Sequence, residues 1–133
     1  MTDVFLSYVD EDAAQAQAIE SALQALGADV WTDQRIGLGE NWLDEIEKRL
    51  SECDVIMPLI SPDFLESKWA LWEMGYALGR SKEKGVTIVP VLVRDAKLPR
   101  YLNPFNVIDA RNLSTAELAE KMRSFGSVEK ASA

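Results

Sequence analysis

Two rhythms alternate along the chain. Short, almost unbroken apolar runs at Val4–Tyr8, Asp29–Thr32, Asp54–Ile60 and Thr87–Val93 predict buried strands, and Asn106–Asp109 predicts a weaker fifth. Between them, apolar residues recur every three or four positions, the spacing of a helix face. That pattern predicts helices over Ala13–Leu26, Trp42–Leu50, Ser67–Leu78 and Ser114–Arg123. The punctuation agrees. Asp10, Glu11 and Asp12 stand at the start of the first helix, where the helix dipole favours acids, and Gly27 follows its end as a C-cap. Leu43, Ile46 and Leu50 share one face of the second helix. Ser61-Pro62-Asp63 ends the third strand, because proline has no N–H to donate. Ser114 and Glu117 form a capping box for the last helix. Asp33–Asn41, with Gly37 and Gly39, and Arg94–Pro104, with two prolines, read as loops.

Strands that alternate with helices imply a parallel sheet covered on both faces. The fold class expected is α/β, a flavodoxin-like doubly wound sheet of five parallel strands in the order 2-1-3-4-5. A single domain spans residues 1–125, and 126–133 form a small polar tail or the start of a linker. Met1 stands almost directly before the first strand, so a fused sensor is expected after Ala133. In such sheets ligands bind beyond the carboxyl ends of the strands, near the switch point between strands 1 and 3. Ser7, Tyr8 and Asp10 are delivered there after strand 1, and Ser61 and its successors after strand 3.

The third helix carries the most informative feature. Trp69, Trp72, Glu73 and Tyr76 lie three and four residues apart and share a side. A carboxylate among aromatic rings is costly unless something polar reaches it. Glu73 therefore faces a polar cleft or has a dedicated partner, against the plainer alternative of a solvent-edge acid beside a packed tryptophan pair.

Composition narrows the chemistry. At 133 residues the chain can bury a real core. It has no histidine, which excludes Ser-His-Asp and Cys-His catalysis and any His-bearing metal site. Cys53 is the only cysteine, so neither an internal disulfide nor a thiolate cluster can form. No metal is expected. The net charge of −8 argues against a general nucleic-acid surface. No apolar run approaches the ~20 residues of a membrane span, and the N-terminus lacks the features of a signal peptide. The simplest compartment is the cytoplasm.

Three segments, in order, resemble the Toll/interleukin-receptor (TIR) domain family, in its bacterial form. Asp3-Val4-Phe5-Leu6-Ser7-Tyr8 resembles the first TIR box. Val30-Trp31-Thr32-Asp33, with Gly37, Gly39, Trp42 and Ile46, resembles the second box and BB loop. Ser67-Lys68-Trp69 through Glu73 resembles the tryptophan-to-glutamate motif, four residues apart. The resemblance implies one of two roles. Many bacterial, plant and some animal members cleave NAD+ between nicotinamide and ribose, while others are self-associating scaffolds. The glutamate matching Glu73 is the catalytic residue of the cleaving members. Leu38 stands where animal adaptors have a loop proline, which tilts the chain towards the enzymes. NAD+ is then a substrate, no cofactor is required, and the expected partners are other TIR domains, through residues 33–42. The alternative is a non-enzymatic interaction scaffold or a mimic of host signalling.

On that resemblance, further residues are substrate-binding candidates. Trp69 or Trp72 offers a flat surface for a ring of the dinucleotide. Ser7 stands at the end of the first strand, Phe5, Tyr8 and Trp42 are candidates for the pocket wall, and Arg35 and Lys68 for the pyrophosphate. Each has a plainer alternative: Phe5 as core, Trp42 as a helix-start anchor, the two cations as solvated surface charges. Other motifs fail. Gly37-Leu38-Gly39 follows strand 2 rather than strand 1, and Trp42 stands where a dinucleotide fingerprint needs its third glycine. A phosphoreceiver needs an aspartate at the end of strand 3, where this chain has Ile60-Ser61-Pro62. Cys53 has no base and reads as a packed thiol. The acidic runs Asp10–Asp12 and Asp44–Glu47 read most simply as solvated faces.

Overall fold

The computed structural model describes residues 2–32, 42–83, 86–114 and 116–123. Among the described residues, six strands make one parallel sheet: β1 Asp3–Ser7, β2 Asp29–Thr32, β3 Val55–Ile60, β4 Thr87–Ile88, β5 Val91–Leu92 and β6 Ile108–Asp109. Their order is β2-β1-β3-β5-β6, with β4 also paired to β3. This is the expected 2-1-3-4-5 winding with its fourth strand split in two. The reason is chemical. Val55 pairs with Thr87 and Leu59 with Val91, so one register places Pro58 opposite Pro90. Neither proline has an N–H, and the ladder is interrupted there. The Pro90 carbonyl still accepts from the Ile108 N–H at 2.9 Å, which keeps β6 in place.

The helices are α1 Ala13–Ala25, α2 Trp42–Glu52, α3 Pro62–Glu66, α4 Lys68–Glu83 and α5, residues 116–123. Side-chain alternation along the strands divides the core between two faces. Val4, Leu6, Val30, Val55, Met57 and Leu59 join Ile19 and Leu23 of α1 and Met122 of α5 on one face. Phe5, Ile56 and Ile60 join Ile46 and Leu50 of α2, Phe64 of α3 and Ala70, Met74 and Ala77 of α4 on the other. Because Ser7 follows Phe5 by two positions, it belongs to the second face, beneath α4.

Local signals act as their residue types demand. Gly27 takes φ 90, a left-handed conformation that glycine adopts without strain. Its N–H donates to the Gln24 carbonyl at 3.0 Å and closes α1. The Ser114 N–H donates to Glu117 Oε1 and the Glu117 N–H to Ser114 Oγ, the reciprocal box at the start of α5. Ser61 does more than end β3: its hydroxyl accepts from the Phe64 N–H at 3.1 Å and caps α3, a short helix that replaces the expected break. One face assignment in α2 needs correction. Ile46 and Leu50 are wholly buried, but Leu43 is 48% exposed, in the first turn of the helix.

Candidate active site

Glu73 is a buried acid with a dedicated partner. Its side chain is enclosed under α4, the residue being 1% exposed, and Ser7, also 1% exposed, donates its hydroxyl to Glu73 Oε1 at 2.7 Å. The two residues stand 66 positions apart. β1 brings Ser7 to its carboxyl end, in register with Pro58 of the neighbouring β3. Glu73 arrives from the helix that covers this face. The bond therefore lies at the switch point of the winding, between the strand on which the chain starts and the strand to which it crosses.

The rings near Glu73 form a ladder up the side of α4. Trp69 and Trp72 stack with centroids 4.8 Å apart and planes 16° from parallel. Trp72 meets Tyr76 at 5.9 Å and 39°. At 100° per residue, Glu73 lies between this ladder and the inward-facing Ala70 and Ala77. Trp69 and Tyr76 are half-buried against the second core, while Trp72 is 40% exposed. The single aromatic face containing Glu73 thus divides in two, with the acid turned inward and Trp72 outward. Trp72 has a ring on each flank, Trp69 stacked and Tyr76 tilted.

The other site candidates separate. Phe5 is wholly buried and packs in the core of Glu73's own face, which fits its plainer alternative as core. Tyr8 is half-buried against the opposite core, with α1. Lys68 is exposed at the first residue of α4. Trp42 begins α2, but its side chain, Arg35 and the rest of the BB loop lie outside the described residues. Cys53 is a packed thiol: burial pushes it up to about 11, against the opposing pull of the Arg80 guanidinium. Arg80 donates to the Leu50 and Cys53 carbonyls at 2.6 and 3.0 Å.

A second polar cluster lies along the same edge. Asp12, read as part of a solvated acidic face, is fully buried. Its Oδ2 accepts from the Ser61 hydroxyl at 2.5 Å and its Oδ1 from Arg94 Nε at 2.7 Å. Arg94 Nη2 reaches Asp63 Oδ2 at 2.5 Å. Asp63 and then Asp12 hold the guanidinium protonated far above its usual range. The usable signal in the sequence was positional: Asp12, Ser61 and Arg94 each follow the end of an apolar strand. The exposed run Asp44–Glu47, by contrast, is the solvated face expected of it, around the buried Ile46. Among the described residues no group of three acids or thiols is placed to hold a metal ion, and no helix is long and apolar enough to cross a membrane.

The family model described as TIR domain matches residues 4–123. The chain is 30% identical over 99 residues to the uncharacterized protein y4lF of Sinorhizobium fredii, covering 71% of this chain and 31% of that protein. It is 26% identical over 91 residues to the 2′ cyclic ADP-D-ribose synthase BtTIR of Bacteroides thetaiotaomicron, covering 67% of this chain and 32% of that protein. It spans about a third of the length of these curated relatives. Among solved structures, the TIR domain of the Toll-related receptor TRR-2 of Hydra magnipapillata superposes with a TM-score of 0.76 at 19% identity, over 96% of this chain and 97% of that one. The Clostridium botulinum CMP N-glycosidase BcmB gives a TM-score of 0.62 at 20% identity, over 92% and 99%. At these identities the two structures speak for the fold. With the tryptophan-to-glutamate motif on α4, the box-one serine bonded to its glutamate, and a family match that runs from β1 through α5, the chain belongs to the TIR domain family.

Proposed function

We propose that this chain is an NAD+ nucleosidase that cleaves the bond between nicotinamide and ribose, with Glu73 as the catalytic carboxylate. The observation that carries this reading is the Ser7–Glu73 bond at the switch point: an acid buried at a ligand-binding edge and held by a hydroxyl from another element. The synthase named for BtTIR supports it as a relative at 26% identity.

The chemistry suits a chain without histidine. The C1′–N bond breaks with its electron pair going to the nicotinamide nitrogen, and the ring departs neutral. No general acid is needed. The ribose is left with oxocarbenium-like positive charge, as in glycoside hydrolysis. A fixed carboxylate against the ribose stabilises that charge as it develops, and a buried one does so more strongly than in water. The Ser7 hydroxyl holds one carboxylate oxygen and restricts rotation of the acid. Water then adds to C1′ and releases a proton, giving ADP-ribose. Alternatively a ribose hydroxyl or the adenine of the same molecule adds, giving a cyclic isomer.

Intramolecular capture gains from proximity where the dinucleotide folds back on itself. The rings beside Glu73 favour some folding, so a mixture of ADP-ribose and a cyclic isomer is expected. Chromatography after complete NAD+ consumption checks this, and ADP-ribose alone, in dilute and in crowded solution, would leave a plain hydrolase.

Glu73 and Ser7 are both enclosed in the single chain, which fits a domain that gains activity by assembly. The second prediction is therefore a specific activity that rises with protein concentration, through self-association that uses the BB loop. Nicotinamide release across a hundredfold range of protein concentration tests it; a flat specific activity would count against assembly. Cytoplasmic action in bacterial immune or stress signalling belongs to the same proposal. NAD+ left intact by concentrated and by clustered protein would favour the interaction-scaffold role instead.

A further inference from the structure

Asp12 occupies the N-cap position of α1, yet its side chain caps nothing there. Aspartate at that position ordinarily satisfies an orphan N–H of the first turn. Here the carboxylate is turned into the protein and accepts from Ser61 and Arg94 instead. It thereby gives up a local bond for partners 49 and 82 positions away.

Those partners tie the strand ends to the helices above them. Ser61 uses its hydroxyl twice, donating to Asp12 and accepting from Phe64 N–H at the start of α3. Arg94, just beyond β5, uses Nε for Asp12 and Nη2 for Asp63, in the first turn of the same helix. α3 leads through the single residue Ser67 into α4. The Ser67 hydroxyl accepts from the Ala70 N–H at 3.2 Å, and the Leu71 N–H donates to the Ser67 carbonyl at 3.0 Å. Ordered contacts therefore run from Arg94 and Asp12, through Ser61 and Asp63, into α3 and on to the helix that carries Glu73. Asp12 itself follows β1, the strand that ends in Ser7. The latch joins the segment that follows β1 to α3, the helix that leads into α4, and so bears on the separation of Ser7 and Glu73.

We propose that Arg94, acting through Asp12 and Asp63, is a positioning residue for Glu73: it locks α3 and α4 against the carboxyl ends of β1, β3 and β5 and so holds the Glu73 carboxylate on the Ser7 hydroxyl. The proposal rests on the catalytic role of Glu73 for its kinetic consequence, but its structural claim stands apart from that role. A carboxylate misplaced by about 1 Å forfeits on the order of a hundredfold in rate with little change in ground-state binding.

The test uses Arg94→Gln, Arg94→Lys and the double variant Asp12→Asn/Arg94→Gln, with Arg111→Gln as control. Arg111 pairs with Asp109 and Asp95 at the exposed edge of β6, so its loss removes the same charge without touching α3. Two readouts are taken on each folded protein. The first is the 13C carboxyl titration of Glu73, assigned by its absence in Glu73→Gln. The second is the split of nicotinamide release into kcat and KM.

Arg94→Gln is expected to move the Glu73 titration and to lower kcat by about tenfold or more, with KM within about twofold. Arg94→Lys, which keeps the charge, and the double variant, which replaces the ion pair by an amide pair, recover part of both effects. Arg111→Gln changes neither. If Arg94→Gln does not fold, Arg94→Lys decides, through a smaller shift in the same direction. A folded Arg94 variant whose Glu73 titration matches wild type overturns the proposal. If wild-type protein leaves NAD+ intact, the enzymatic reading fails, and the Glu73 titration still supports or overturns the positioning role by the same criterion.

Discussion

Glu73→Gln is expected to lose nicotinamide release by about 10²- to 10³-fold and to keep its fold. The kinetic figure follows from the proposed role, an enclosed anion set against a developing cation, where a single electrostatic contact is worth roughly 10² to 10³ in rate. The structural half follows from the partner. Glutamine has nearly the same volume as glutamate, and its amide oxygen accepts from the Ser7 hydroxyl as the carboxylate oxygen does at 2.7 Å. The variant also removes a charge from a position only 1% exposed. Burial of a carboxylate opposes folding, so the unfolding free energy is expected to stay the same or to rise by about 1 kcal/mol. Urea unfolding read beside the activity assay checks both halves. A Glu73→Gln protein with wild-type turnover ends the catalytic role, and one that cannot fold shows the acid to be structural.

Phe5→Ala is expected to cost about 3–5 kcal/mol, the range for emptying a fully buried aromatic position. Domains of this size have only about 5–15 kcal/mol in hand, so the loss is a large share of stability. Phe5 is wholly enclosed, in the same core as Ile46, Ile56, Ile60 and Met74. Phe5→Leu, which leaves most of the volume filled, costs less and preserves KM for NAD+. Equilibrium denaturation of the two variants separates core from pocket wall: a loss below about 1 kcal/mol in Phe5→Ala, together with a raised KM, would return Phe5 to the substrate site.

The contrast between these residues shows which signals a sequence carries. The winding order was legible because its strands are apolar runs and its helices carry a three-to-four spacing. The capping box at Ser114 and Glu117 and the glycine after α1 are local devices, complete within a few residues. The suspicion of Glu73 was legible too, because a carboxylate among rings is a local contradiction. Its partner was named only as a group near the same strand end, since a bond across 66 positions depends on how α4 lies over β1.

What was missed is non-local or reverses an average. Pro58 and Pro90 each look tolerable alone, and the break they make in the fourth strand exists only once the register sets them opposite each other. Asp12 sits in an acidic run, and such runs are usually solvated. Its burial follows from Arg94 and Ser61, residues that no local pattern connects to it. The ladder of Trp69, Trp72 and Tyr76 was foreseen as one face with Glu73. A helix face is wider than a side chain, and within it the acid turned towards the sheet while Trp72 turned to solvent.

The central claim is that an enclosed carboxylate at the carboxyl ends of β1 and β3 breaks the nicotinamide–ribose bond. Its most direct test is to incubate the wild-type chain with NAD+ at the highest concentration it tolerates, with Glu73→Gln alongside, and to follow free nicotinamide. The account predicts nicotinamide from the wild type, in step with NAD+ loss, and none above background from the variant. Intact NAD+ in both tubes, or equal release from both, would contradict it.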